Sequence, residues 1–202
     1  MAHDRNEALN SYITDMLALE DHIEKAIRGQ LTDLKDYPDV VTELKGLHRT
    51  IEHHVSDLRG LKERRNAGGV VEAVKRAGSA VAGVAAGVID LVRTEGLPKN
   101  LRDDYTAFSL ATIGYVMLHT TALSLDDREV ADLAQQHFRD YAHAITRIHA
   151  IIPGAVIRYL QAEGLPARSE VLSQVHRTVE EVWRAQSDAG RGTDAPVGTP
   201  GL

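Results

Sequence analysis

Apolar residues recur at spacings of three and four along most of the chain, the repeat that marks one buried face of an amphipathic helix. The first stripe is Leu9, Tyr12, Ile13, Met16, Glu20, Ile23, Ala26 and Ile27. It predicts a helix from about Asn6 to Arg28, with Gly29 placed to end it. After a connection from Leu31 to Pro38, a second stripe (Val40, Leu44, Leu47, Ile51, Val55, Leu58, Leu61) predicts a helix from Asp39 to Arg65, stopped by Gly68-Gly69. A third helix is expected from Leu101 to Leu125 on Tyr105, Phe108, Ala111, Thr112, Tyr115, Leu118, His119 and Ala122. A fourth begins near Asp126 with Val130, Leu133, Ala134, Phe138, Tyr141, Ile145, Ile148 and Ile152. Pro153-Gly154 should kink or interrupt that fourth helix, whose extension reaches about Ala162. A last helix is expected over Ala167–Ala185, carrying Val171, Val175, Val179 and Trp183.

Two stretches fall outside this pattern. Val70–Val92 is rich in Ala, Gly and Val, with only Glu72, Lys75, Arg76 and Asp90 charged. It is too short and too glycine-rich to span a bilayer, and its small residues suit close packing on a bundle or across a dimer interface. From Gln186 to Leu202 there is no core former to bury, so that tail is expected to be disordered. Residues 1–185 then form a single body: four long helices with short joints, one long link at about 66–97, and an additional C-terminal helix. The expected fold class is all-α, an up-and-down four-helix bundle; one long crossover is the ferritin-like arrangement.

Composition narrows the function classes. The chain has 202 residues, enough for one substantial core, and only 4% are aromatic. The formal net charge is −6, with Lys and Arg interleaved among acids, which argues against a nucleic-acid partner. There is no cysteine, so disulfides, thiol catalysis and iron–sulfur ligation are excluded. The opening MAHDRNEAL lacks the layout of a signal peptide, and a cytoplasmic protein is the expectation. No Gly-rich phosphate loop, Gly-x-Ser-x-Gly elbow or His-Glu-x-x-His motif occurs.

Glu20 stands out because it lies on a core stripe. A buried lone carboxylate costs several kcal/mol unless a cation, a proton or hydrogen-bond donors satisfy it. A ferritin-like di-metal centre would use such a residue: it takes one carboxylate from each of two helices and Glu-x-x-His from each of the other two. Helix 2 offers His48, Glu52, His53 and His54 but no Glu-x-x-His; His53-His54 reads as a half-exposed pair. Helix 3 offers His119 alone. Helix 4 carries Asp140-x-x-His143, an aspartate version of the motif, with His137 a turn earlier. The candidate metal ligands are therefore Glu20, Asp140 and His143, with His48 and His119 as additional candidates. Iron, manganese or zinc would suit them. Without a metal, Glu20 would pair with His48, His119 or His143, or be protonated.

The runs NSYITDMLALEDHIEKAI, LHRTIEHHVSDLRGL, IDLVRTEGLPKNLRDDY, NLRDDYTAFSLATIGYVMLHTTALSLDDREVADLAQQHFRDYAHAI and IIPGAVIRYL resemble the YciE/YciF-type ferritin-like family of bacterial stress-associated proteins. The likeness covers roughly Asn6 to Ala162. It implies a ferritin-like bundle with a shorter fifth helix, often dimeric, some members having the residues for a di-metal centre. Here the helix 3 region reads Phe108-Ser109-Leu110-Ala111, so only Glu20, Asp140 and His143 carry over. The resemblance implies a non-catalytic homodimeric bundle of bacterial stress physiology with a degenerate metal site and no required cofactor. The rivals are an iron- or manganese-binding protein and a membrane-surface or partner-docking bundle acting through the Ala/Gly segment.

Overall fold

The structure is a computed structural model that describes residues 5–34, 37–66 and 96–191. Among them are five α-helices and no strand: α1 (Arg5–Asp33), α2 (Pro38–Asn66), α3 (Leu97–Ser124), α4 (Arg128–Ala162) and α5 (Leu172–Arg191). The all-α expectation holds. The Ala/Gly segment and crossover expected at about 66–97 lie almost wholly outside the described residues.

The helices differ from the pattern at their ends, for identifiable reasons. Helix α1 runs through Gly29 to Asp33. A mid-helix glycine costs only about 1 kcal/mol, and continuing the helix buries Gln30 while Leu34 just beyond it is buried too. Helix α3 begins at Leu97, ahead of the expected Leu101, with Pro98 in its first turn; proline has no N–H to lose there. Helix α4 passes through Pro153 without interruption. Helix α5 continues past Ala185 to Arg191, so the start of the expected disordered tail is helical.

The chain falls into two compact units that meet at Ile152–Pro153. The first unit holds α1, α2, α3 and most of α4. Its core is built from the four stripes: Leu9, Ile13, Ile23 and Ile27; Leu44, Ile51, Leu58 and Leu61; Leu101, Phe108, Ala111, Tyr115 and Leu118; and Ala134, Tyr141 and Ile148. Side-chain pairs set the directions. Asn10–Arg65 and Glu20–His54 make α1 and α2 antiparallel. Gln30–Asp104 and Glu20–Tyr115 make α1 and α3 antiparallel. Asp57–His137 and Glu43–Arg147 make α2 and α4 antiparallel. Hence α2 and α3, although successive, run the same way, and α1 runs with α4.

Two local features hold the centre of this unit. Gly114 lets α3 approach α1 closely: a Cβ there would lie 2.5 Å from Met16 Sδ. The α3–α4 joint turns on Asp126, whose φ of 55° is in the left-handed region. Asp127 then caps α4, accepting from the Val130 N–H at 3.2 Å and from Arg65 at 2.7 Å. The second unit contains the end of α4, a turn in which Gly164 (φ 76°) lets Leu165 N donate to Leu160 O, and α5.

Candidate functional site

Glu20 has no exposed surface, and it is satisfied by all three neighbouring helices. Tyr115 of α3 donates its hydroxyl to Oε1 at 2.6 Å. Tyr141 of α4 donates to Oε2 at 2.6 Å. His54 of α2 lies with Nδ1 3.2 Å from Oε1. The other ring nitrogen of His54 is 3.2 Å from Asp140 Oδ2. Both nitrogens thus face carboxylate oxygens, which only accept, so the geometry calls for a doubly protonated imidazolium. Burial works against that charge, but the hydrogen bonds and charges of Glu20 and Asp140 outweigh it and raise the His54 pKa above its ordinary 6.5.

His137 extends the network. Its ring stacks on that of His54, centroids 3.8 Å apart and planes 19° off parallel. Its Nδ1 is 2.9 Å from the Tyr115 hydroxyl and its Nε2 is 3.3 Å from Asp57 Oδ2. Burial, reinforced by the His54 charge, pushes its pKa down to about 2. The stack therefore joins one cation to one neutral ring and avoids like-charge repulsion. Burial and the Glu20 charge push both phenol pKa values well above 10, so Tyr115 and Tyr141 remain donors. A continuous row of polar contacts at hydrogen-bond distance runs Asp140–His54–Glu20–Tyr115–His137–Asp57. Its two end carboxylates are partly open, at 29% and 35% exposure.

The pH dependence follows from the direction of the His54 shift. A base whose pKa is raised by folding contributes stability that is full below its unfolded value of about 6.5 and lost as pH rises through the folded value. A histidine NMR titration should find the His54 midpoint above 6.5, moving down in Glu20→Gln; a midpoint at or below 6.5 in the native chain contradicts the network.

The candidate ligands of the sequence do not assemble as expected. Glu20 is central and Asp140 reaches it through His54. His143 is exposed and takes no part: the inward face of α4 is Ala134, His137, Tyr141, Ala144 and Ile148, and a residue two beyond Tyr141 points about 200° away from it. His48 bonds Glu24 at 2.8 Å instead of Glu20, because it lies nearly two turns from His54. His119 binds the Ala131 carbonyl at 2.8 Å, tying α3 to α4. The residues overlooked as partners are His54, His137, Tyr115 and Tyr141. Each sits on an apolar stripe; His54 is three after Ile51 and four before Leu58, which places it inward and leaves His53 exposed.

One ligand atom each from Glu20, His54 and His137 lies within 4.8 Å of the others, so this buried group could bind a metal ion. Two features oppose it in the geometry present. The lone pairs of a metal-bound imidazole lie in the ring plane, so two stacked rings cannot both point at one ion without one of them turning. Three of the four lone-pair sites of Glu20 are already taken, by the two phenols and His54. A two-metal centre fits less well still: Tyr115 stands on α3 where a carboxylate is wanted, and Ile51 precedes His54 by three where the glutamate of Glu-x-x-His would be. No protein-family model, curated protein or solved structure matches this chain.

Proposed function

We propose that the chain is a ferritin-like four-helix bundle, similar to the YciE/YciF-type family, in which the metal position has been taken over by the protein's own hydrogen bonds. It serves as a non-catalytic structural or interaction protein of bacterial stress physiology, in the cytoplasm and as a homodimer. The observation that carries this reading is the double capping of Glu20 by Tyr115 and Tyr141 at 2.6 Å each. A carboxylate so held needs no metal to offset its burial. The helix directions support the ferritin-like part: α2 and α3 run the same way, which needs a returning link, and the crossover reading of residues 66–97 supplies one. The exposed Leu110, Ile113 and Met117 on α3 supply an apolar stripe for a second copy.

The second reading, an iron or manganese protein, is favoured by the grouping of Glu20 with His54 and His137. Metal analysis separates the two. Tag-free protein produced with added iron should carry far less than one equivalent of iron or manganese, and Glu20→Ala should not change that content. Stoichiometric iron that disappears in Glu20→Ala and His54→Ala would replace the first reading with the second.

A further inference from the structure

A second group of ligand-type side chains lies one turn further along α1, away from the core network. Glu24 of α1 places Oε1 2.8 Å from His48 Nε2. Glu52, one turn after His48 on α2, places Oε2 3.5 Å from His48 Nδ1. One ligand atom from each of the three lies within 4.8 Å of the others. We propose that Glu24, His48 and Glu52 form a binding site for a divalent transition-metal ion of the zinc class, clamping α1 to α2.

Three features favour an ion here over the buried group. A single ion takes one ring nitrogen of His48, and one ligand atom from each residue lies within 4.8 Å of the others. Side-chain rotation of Glu52 to the Glu24 edge of the ring therefore brings the three to the separation of about 3.4 Å set by a tetrahedral ion at about 2.1 Å. Glu24 and His48 are positioned at 13% and 14% exposure, whereas Glu52 is 54% exposed and free to swing in. No ring stacks on another at this site among the described residues. An open cleft of about 340 Å³, lined by Asp21, Glu24, Glu52, Lys25, Arg28 and Arg59, leaves room for the ion's remaining water ligands.

The donor set identifies the class of ion. One imidazole nitrogen with two carboxylate oxygens suits zinc, which binds such donors more tightly than iron(II) or manganese, while magnesium and calcium prefer oxygen alone. Attraction by the general field plays little part, because the cleft's three acids face three bases. Arg59 is held by Asp21 at 2.5 Å. Arg28 lies 3.4 Å from Glu24 but is 62% exposed, so an ion can displace it into water. The site differs from the metal position that Glu20 marks, and the proposal stands whether or not the core binds metal.

Calorimetric titration of tag-free, metal-stripped full-length protein with zinc ion, and separately with magnesium ion, tests it. One zinc should bind per chain, with magnesium showing no isotherm. Glu52→Gln and His48→Ala should each weaken zinc at least about tenfold, the smallest loss that even an outer partner of a metal ligand produces. Zinc should raise the melting temperature of the native chain but not of Glu52→Gln, whose exposed side chain leaves folding intact. An isotherm unchanged in both variants overturns the proposal. So does zinc binding that vanishes in Glu20→Gln while persisting in Glu52→Gln, which would assign the ion to the core.

Discussion

Glu20→Ala should lower the free energy of unfolding by about 3–5 kcal/mol at neutral pH, the range for breaking a buried ion pair from one side. The loss has three parts. The His54 imidazolium keeps its burial but loses one of its two carboxylates. Tyr115 and Tyr141 lose the acceptor for hydroxyls that have no exposed surface around them. A cavity opens where four helices meet. Glu20→Leu should fare little better, since filling the cavity leaves the donors unmet. This reverses the expectation for an unsatisfied relic, whose removal would stabilise the fold. Urea denaturation measures it; a loss under about 1 kcal/mol with an unchanged m-value would mean that the network is not the core's main polar support.

The second large effect concerns Asp104, at the opposite end of α1 from Asn10. Gln30 donates to Asp104 Oδ1 at 2.7 Å, but Asp104 Oδ2 and Gln30 Oε1 are both buried without a partner. Both are acceptors while the acid is ionised, and a proton on Asp104 supplies the missing donor. Burial is the largest influence on this group; the Gln30 hydrogen bond opposes it, the Asp103 charge adds to it, and the pKa rises to about 7. Between about 3.8 and about 7 the folded chain holds a proton that the unfolded chain releases, so stability falls as pH rises through this window. From about pH 5 to about pH 8 the fall is on the order of 3 kcal/mol. Asp104→Asn keeps the shape, carries its own donor and should flatten the curve, being the more stable form at about pH 8. His54 also loses its contribution on the alkaline side, so the decisive quantity is the difference between the two chains. Equal losses in both would remove Asp104 as the cause.

Much of the bundle is legible in the spacing of apolar residues. The four stripes recover the four long helices, because burial of one face decides helix formation more than any single residue. Gly29 misleads for the same reason: it is a local stop signal overridden by burial of Gln30 and Leu34 beyond it. Glu20 is legible as a buried charge, since its own helix shows which way it points. Its partners are less so. His54 follows from the Ile51–Leu58 phase once His53 is set aside. Tyr115 and Tyr141 lie on their stripes but look like ordinary core aromatics until the helices are placed in register. His143 misleads because its spacing from Asp140 imitates Glu-x-x-His, although at about 100° per residue it points away from the apolar stripe of α4. Which residue on one helix meets which on another depends on height along the bundle, and periodicity within a helix carries no such information.

The path from Asp140 to Asp57 has one more consequence. It contains five links, and each needs one hydrogen between its heavy atoms. His54 as a cation supplies two, Tyr115 one and neutral His137 one. One link is therefore vacant, and with Tyr115 donating to Glu20 and His137 Nδ1 donating to Tyr115, the vacancy falls between His137 Nε2 and Asp57, at 3.3 Å the longest and most open step. Burial and the His54 charge, which push the His137 pKa down to about 2, keep its Nε2 bare and that link empty. Hops within the four filled links only move each hydrogen between its two heavy atoms and leave the empty link where it is, so the network is closed at its Asp57 end and fixes the charge of this interior together with its packing.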